Sequence, residues 1–525
     1  MVQLVRYCLI FVSIILMVSS LHPQNVNLPL EHWAYQYFDR LETKGLFKGL
    51  HSRTLPMTRT EIANIISEID SNIIKGNSKL STTDYRRLEQ LEGEFHEELV
   101  RLNVSADSLL HERHLFSWSE ADNIIHADAD FGFNLDVRKG DQYPSAKRTS
   151  HTTLGGILRG GFKENLSFLV FVRNTMHRGI DISERNFDLS KGRPLDFAGK
   201  NAYTDEAIAY FILKLPWFEV EVGRNNAKWG PGYRGSLALS AQNPLFDMIK
   251  LKVPFKRFQF TAFHGNLNSS YGRKYLAAHR LDIQIAPWLY VAGSEAVVYG
   301  NRGMEFQYLN PIMPYHVAEH HLGDKDNNTI SFDFTAFPMK NLKFYGELFL
   351  DDYTLSENFF KYYGNKWAFL SGAFWIEPFG LKNIDLRLEF ARVEPFVYTH
   401  KDSMNIYQNY DQSIGHWLGP NAENWYFEIN YNPTRDLSFA LSLERVRKGE
   451  GDLAKPWKPE YGTEKNFLKC VVEKRSISGF KVTDQIFRDV FLSLKIFGIQ
   501  TNNLGRVKNK NSFDTQVNFE LLVNY

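Results

Sequence analysis

The sequence predicts a mainly β protein: a transmembrane antiparallel β-barrel of about 18 strands, preceded by an N-terminal helical segment. Three observations carry that expectation. The 525-residue chain ends on a stretch in which Phe513, Thr515, Val517, Phe519, Leu521, Val523 and Tyr525 alternate with mostly polar residues. Period two makes one face of a strand greasy and the other wet, and a last strand ending on an aromatic suits a membrane barrel with interfacial girdles. The same alternation starts near Ile124, where Ala127, Ala129, Phe131, Phe133, Leu135 and Val137 are set against Asp128, Asp130, Gly132, Asn134, Asp136 and Arg138. An export signal at the other terminus is the third.

That signal comes first in the chain. Val5-Arg6 precedes an apolar run from Tyr7 to Val18, and Ser19-Ser20 follow. This is the pattern of a secretory signal peptide over residues 1–20, cut near Ser20. The run is shorter than the roughly 18 to 20 residues a spanning helix needs. Cys8 lies inside it, so the mature chain keeps Cys470 alone and has no intramolecular disulfide. A large exported protein without disulfides needs another closure, and a hydrogen-bonded barrel supplies one.

From Leu28 to about Leu115 the period is helical. Trp33, Tyr37, Phe38 and Leu41 share one face, and Gly45 ends the segment. Thr58 to Glu61 forms a capping box ahead of Ile62, Ile65, Ile66 and Ile69. Ser81 opens a third helix with Leu88, Leu91, Phe95 and Leu99 as its stripe. These stripes are expected to be the core of a small bundle over 21–118.

From 119 to 525 the chain is expected to be barrel. Alternation recurs in Leu342–Leu350, Ile384–Phe390 and Leu437–Glu444. About 400 residues at roughly 22 per strand and turn give about 16 to 18 strands, an even number being expected. Tight turns are signalled at Pro216-Trp217, Pro287-Trp288, Pro338–Asn341, Gly380–Asn383 and Pro433–Asp436. The longer polar stretches at 176–200, 300–327, 395–420 and 446–464 are the expected outer loops. Mean hydropathy is negative and there is no second long apolar run, which excludes a helical membrane protein but not a barrel. Aromatics reach 14 %, more than a soluble domain usually carries, and girdles and sugar platforms would both explain this. A net charge of +1 gives no electrostatic case for nucleic acid.

Three stretches carry a resemblance. They are Leu28–Leu46 with Leu55–Glu61, then Val222–Ser240 with its Trp229-Gly-Pro-Gly segment, then Asn310 through the histidine-rich region to Asp352. In order and spacing they resemble the Wzi family of capsule-assembly outer-membrane proteins. The resemblance implies an 18-stranded outer-membrane barrel whose helical bundle, 21–118, plugs the periplasmic mouth. It also implies a lectin-like, non-catalytic role, in which exported capsular or surface polysaccharide is attached to the cell. Capsule-export machinery and outer-membrane lipid are the accompanying partners, and the barrel is expected to be a monomer without a cofactor.

Candidate sites follow from residue types. Arg224, Trp229, Tyr233 and Arg234 surround four glycines between 223 and 235. Aromatic rings can stack on a pyranose and Arg can pair with a uronic carboxylate, but so dense a Gly and Pro run also suits a bend packed inside a barrel. Tyr299, Arg302, Tyr315 and Trp457, on expected loops, extend the sugar-binding set. His316 and His320 stand four apart, so a helix would put them on one face, and Asp324 and Asp326 complete a weak metal set. Asp385, Arg387 and Glu389 are expected to face the lumen, lining a conduit or pairing with one another. The rival function is therefore a channel for saccharides or other small polar solutes. No hydrolase elbow and no phosphate loop is present, so no enzyme is expected.

Overall fold

The computed structural model describes residues 25–49, 52–76, 80–102, 104, 112–163, 165–179, 196–198, 201–270 and 272–524. The expected signal peptide, Tyr525 and most of the expected 176–200 loop lie outside the described residues.

Eighteen antiparallel strands close into a barrel in sequence order. Closure is made by the first strand, Asn123–Gly140, pairing with the last, Ser512–Asn524, from Asp514 opposite Gly140 to Asn524 opposite Asp130. Register puts Val517 beside Val137, Phe519 beside Leu135 and Leu521 beside Phe133, so the apolar sets of both strands share one face. That face points outward. Leu154, Val222, Ile249, Phe332, Phe344 and Leu441 are exposed around the wall, and the residues on either side of Ile249, Phe332 and Phe344 are buried. On Leu342–Asp352 the buried set is Lys343, Tyr345, Glu347, Phe349 and Asp351. A polar inside and an apolar outside is the arrangement of a membrane barrel and the reverse of a soluble sandwich.

The expected tight turns gather at one end, with Trp217, Trp288 and Phe379 exposed beside them as an aromatic girdle. At the other end the connections are long: 226–245, 301–326, 353–365, 394–421 and 449–472. Two of these, 226–245 and 353–365, are additional to the loops that polarity predicts, because both are rich in aromatic or apolar residues.

The turn-bearing mouth is plugged by four helices: α1 (Ala34–Thr43), α2 (Arg59–Ile74), α3 (Thr82–Glu94) and α4 (His96–Arg101). The capping box is formed, with Thr58 accepting from the Glu61 amide and Glu61 accepting from the Thr58 amide at 2.8 Å. Ile62, Ile66 and Ile69 of α2 meet Leu88 and Leu91 of α3, Tyr37, Phe38 and Leu41 of α1 and Leu99 of α4 in one buried cluster. Each such aliphatic side chain contributes about 1.5–3 kcal/mol by leaving water. Trp33 and Ile65 are only partly buried against it.

Charge ties plug to wall. Arg40 bonds Asp84 within the bundle at 2.9 Å, Glu377 of a turn at 2.8 Å, and Asp385 on a barrel strand. Asp39 meets Lys343 and, at 2.9 Å, Arg387. Burial alone would raise the Asp39 pKa, but these two cations hold it well below the usual carboxylate range. Glu112 is shared by Arg59 of α2 at 2.9 Å and Arg159 of the wall at 2.7 Å. Here too the arginines overcome burial and lower the carboxyl to about 2. Higher in the lumen Arg280, fully buried, lies between Asp282 at 2.8 Å and Asp333 at 2.5 Å. The lumenal charges Asp385, Arg387 and Glu389 are thus paired or hydrogen-bonded, which answers the conduit expectation with a filled interior.

Candidate functional site

The 226–245 connection does not rise from the barrel; it bends back into the lumen. Its Lys228-Trp229 forms a two-residue ladder with Thr54-Leu55 of the plug, and the Gly230 amide donates to Arg53 O at 2.9 Å. Two wall glutamates pin it. Glu347 accepts from the successive amides of Leu237 and Ala238, both at 2.8 Å. Glu389 accepts from those of Tyr233 at 2.6 Å and Arg234 at 2.8 Å, and from Tyr345 Oη at 2.8 Å. The glycines make this approach possible. Gly230 sits at φ +113°, and a Cβ at Gly232 would fall 1.9 Å from the Gly235 carbonyl oxygen.

That packing separates the four residues expected to bind sugar in this segment. Trp229 is 2 % exposed and meets Phe263 edge-on at 5.2 Å, so neither of its faces is open to a ligand. Tyr233 gives its hydroxyl to Glu428 at 3.0 Å, and Arg234 is held by Glu444 at 3.0 Å over the Tyr426 ring. Arg224 points to the other side of the wall, where it pairs with Asp247 on the neighbouring strand at 2.8 Å. The four residues do not converge.

Nor do those of the 301–326 connection. Tyr299 and Tyr315 are buried in one cluster with Tyr275, Val297 and Tyr308. Arg302 lies over the Tyr299 ring, clamped by Glu305 at 2.6 Å and Asp326 at 2.6 Å. Asp326 also accepts from Tyr308 Oη at 2.7 Å, which commits it to this network and removes it from the expected metal set. The segment Tyr315–His321 is a helix, so His316 and His320 do come together, with ring centroids 4.3 Å apart. Asp324 stands 3.9 Å from His320. Among the described residues no group of three or more His, Cys, Asp or Glu is arranged to hold a metal ion.

Trp457 is placed differently. It stacks on Tyr363 at 3.8 Å with planes 12° apart, and its indole N–H donates to Gly462 O at 2.8 Å. The stack joins the 353–365 and 449–472 connections, which are also zipped by Tyr363 N donating to Thr463 O at 3.1 Å. Lys465 reaches under the join to Glu394 at 3.4 Å; burial lowers its pKa, with Glu394 opposing. Around the stack Phe359 and Phe360 pack on Trp367, and Arg392 covers the Phe467 ring at 3.8 Å. Phe360 and Tyr461 stay exposed, as do Lys361 and Lys458. This is a rigid aromatic plate edged with cations, on the outer end of the barrel. Of the residues that sequence singled out it contains only Trp457. Tyr363 and Phe360 had a visible signal: the doublets Phe359-Phe360 and Tyr362-Tyr363 flank Lys361 in a gap between two strand patterns.

The sequence profile of the family described as Capsule assembly protein Wzi matches residues 145–496. Among solved structures the chain is similar to Wzi of Escherichia coli, described as an outer-membrane protein involved in group 1 capsule assembly and a carbohydrate-binding β-barrel. That match has 14 % identity and a TM-score of 0.59, and covers 94 % of this chain and 98 % of that one. OprD of Pseudomonas aeruginosa matches at 12 % identity and TM-score 0.43 over 76 % of this chain and 95 % of that one. OccAB1 of Acinetobacter baumannii matches at 9 % identity and TM-score 0.44 over 75 % and 96 %. No curated protein matches the chain.

Proposed function

The chain belongs to the Wzi family of capsule assembly proteins, and from that premise we propose that its outer rim is a lectin surface for exported polysaccharide. It is an outer-membrane barrel that binds capsular or surface polysaccharide and holds it at the cell. On this reading α1–α4 close the periplasmic mouth, the barrel works as a monomer, and it makes and breaks no covalent bond in the polymer.

The observation that carries the proposal is the Trp457–Tyr363 plate with its lysine edge. A sugar ring presents C–H faces that pack on indole and phenol, and acidic residues of a polymer meet Lys361 and Lys458 along the same rim. A plate on rigid, zipped loops loses little side-chain entropy when it is covered. The rival reading, a solute channel, is less well supported because the polar rows of the wall are tied to the plug and to the 226–245 segment.

Deleting the gene tests the anchor role. Polysaccharide that is still made but sheds into the medium supports it, and an unchanged partition between cells and medium refutes it. Trp457→Ala in the purified barrel tests the plate. Loss of one stacking ring in the middle of a site costs about 1–2 kcal/mol, which is a roughly 5- to 30-fold weaker Kd for the host polysaccharide. Planar-bilayer recording of the full chain is expected to show no steady conductance.

A further inference from the structure

The 301–326 connection packs on the outside of the barrel rather than over its mouth. Inward-facing residues of strand Leu289–Gly300 are Tyr290, Ala292, Ser294, Ala296 and Val298, the last two in the lumenal core. Val297 and Tyr299 have the opposite parity and belong instead to the cluster that buries Tyr308, Tyr315 and Ala318 of the connection. Outward-facing Glu295 accepts from the amides of Tyr315 at 2.9 Å and His316 at 2.6 Å, from Asn328 Nδ2 at 3.1 Å, and pairs with His279 at 3.2 Å. His279 in turn meets the Tyr315 ring at 4.5 Å.

The depth of this contact matters. Glu295 lies six residues beyond Leu289, next to the girdle residue Trp288, which is half exposed at the turn end. A tilted strand climbs about 2.5 Å per residue, so Glu295 sits about 15 Å above the girdle, within an apolar band of about 25 Å. A bare carboxylate facing lipid at that height is strongly disfavoured. The connection supplies the missing partners. Its own outer face is then apolar: Phe306 is 88 % exposed and Ile312 78 %, with Met304, Leu309 and Val317 beside them. Wall residues of the same outward parity on the strands to either side, Ile249, Leu281, Phe332 and Phe334, are exposed as well. The polar residues His320, His321, Asp324 and Lys325 fall at the return to the rim beside Asn327.

We propose that the 301–326 segment is a helical flap lying in the outer leaflet against the barrel wall, with Met304, Phe306, Leu309, Ile312 and Val317 seated among the acyl chains of outer-membrane lipid. The flap lets the wall carry a Glu295–His279 pair that open lipid would not tolerate. It also widens the barrel's lipid footprint at the end where the sugar-binding plate stands. The inference rests on the outer-membrane location and not on the choice of sugar-binding residues.

The test places one environment-sensitive fluorophore on a single cysteine in liposomes, in a chain whose Cys8 and Cys470 are serine. Positions are Phe306→Cys and Ile312→Cys, with Phe332→Cys as the lipid-facing control and Lys458→Cys as the aqueous one. Heat-modifiable gel mobility checks that each variant is folded. Expected is quenching at 306 and 312 by doxyl-labelled acyl chains within about twofold of that at 332, with little quenching by iodide. Iodide quenching at 306 and 312 equal to that at 458 overturns the proposal. So does protection from both quenchers with cross-linking between copies, which would make the face a subunit interface. A control at 332 that is itself iodide-accessible refutes the membrane placement as a whole, a failure distinct from that of the flap.

Discussion

Replacing Glu389 should show that the Trp229-Gly-Pro-Gly segment is a structural element of the lumen. Glu389 is buried and accepts three hydrogen bonds, from the Tyr233 and Arg234 amides and from Tyr345 Oη. In Glu389→Ala the two amides and the hydroxyl lose their acceptor in a site with little water. Each buried donor so orphaned costs about 1–3 kcal/mol, and a small void adds to it. Relief of one buried carboxylate subtracts several kcal/mol, and rotation of Tyr345 towards another acceptor recovers at most the cost of one donor. Three neutral donors at about 1–3 kcal/mol each, offset by the several kcal/mol that the carboxylate's own desolvation had cost, leave a net loss of about 2–5 kcal/mol.

Glu389→Gln keeps the shape and one carbonyl oxygen, so it retains one of the two amide contacts and should cost about 1.5–3 kcal/mol. The assay is urea unfolding of the purified barrel in detergent, followed by heat-modifiable mobility and tryptophan emission. The order wild type, Gln, Ala in midpoint is the signature. Polysaccharide affinity of the folded fraction should not change, because the segment does not reach the plate. Equal midpoints for all three proteins, to within about 1 kcal/mol, would refute the reasoning, and so would an Ala variant of full stability that no longer binds sugar.

The remaining predictions are shorter. Gly232→Ala drives a Cβ to 1.9 Å from the Gly235 carbonyl and 2.9 Å from Leu370 Cδ1, so the segment must shift; overpacking of this kind costs about 1–3 kcal/mol or more, read as a lower unfolding midpoint. Glu112 has a folded-state pKa lowered to about 2 by Arg159 and Arg59 against its burial. Its contribution is therefore fully present above the unfolded value of about 4.5 and is lost as pH falls towards 2. The midpoint difference between wild type and Glu112→Gln should shrink across that window, and a difference that stays constant would contradict the pairing. Trp457→Ala should leave the unfolding midpoint within about 1 kcal/mol while weakening sugar binding, since its ring lies on the rim and not in the core.

Most of the architecture was legible because the constraint that writes it is local. Alternation in Leu342–Leu350 or Ile384–Phe390 follows directly from a wall with lipid on one side and a filled lumen on the other. Helical stripes and the Thr58–Glu61 box were legible for the same reason. The site was not, because loop placement is set by long-range partners. Trp229 and Tyr233 look like a sugar platform until Glu347 and Glu389, more than 100 residues away, draw the segment inward. Tyr299 and Tyr315 look exposed in a polar stretch until the chain between them folds down the outer wall and covers both. Aromatic residues in a barrel serve girdles, cores and ligand plates alike, and composition does not separate these uses.

A lumen filled in this way has a consequence for how such a protein could hold a polymer. With the plug tied to the wall through Arg40, Asp39 and Glu112, and the 226–245 segment tied through Glu347 and Glu389, threading a strand of sugar would require breaking several buried charged contacts at once. Attachment at the rim requires none. A single plate the size of Trp457–Tyr363 offers only a modest affinity for one repeat unit, but a polysaccharide presents hundreds of identical repeats to many barrels in one membrane. Each engaged plate then raises the effective concentration for the next, and retention can exceed the single-site affinity by about 10²- to 10⁴-fold without new contacts. An anchor built this way needs a fixed plate and a fixed barrel more than it needs tight binding. It should therefore release monovalent oligosaccharide quickly while holding the intact polymer, and equal off-rates for a short oligomer and the full polymer on a dense barrel surface would contradict it.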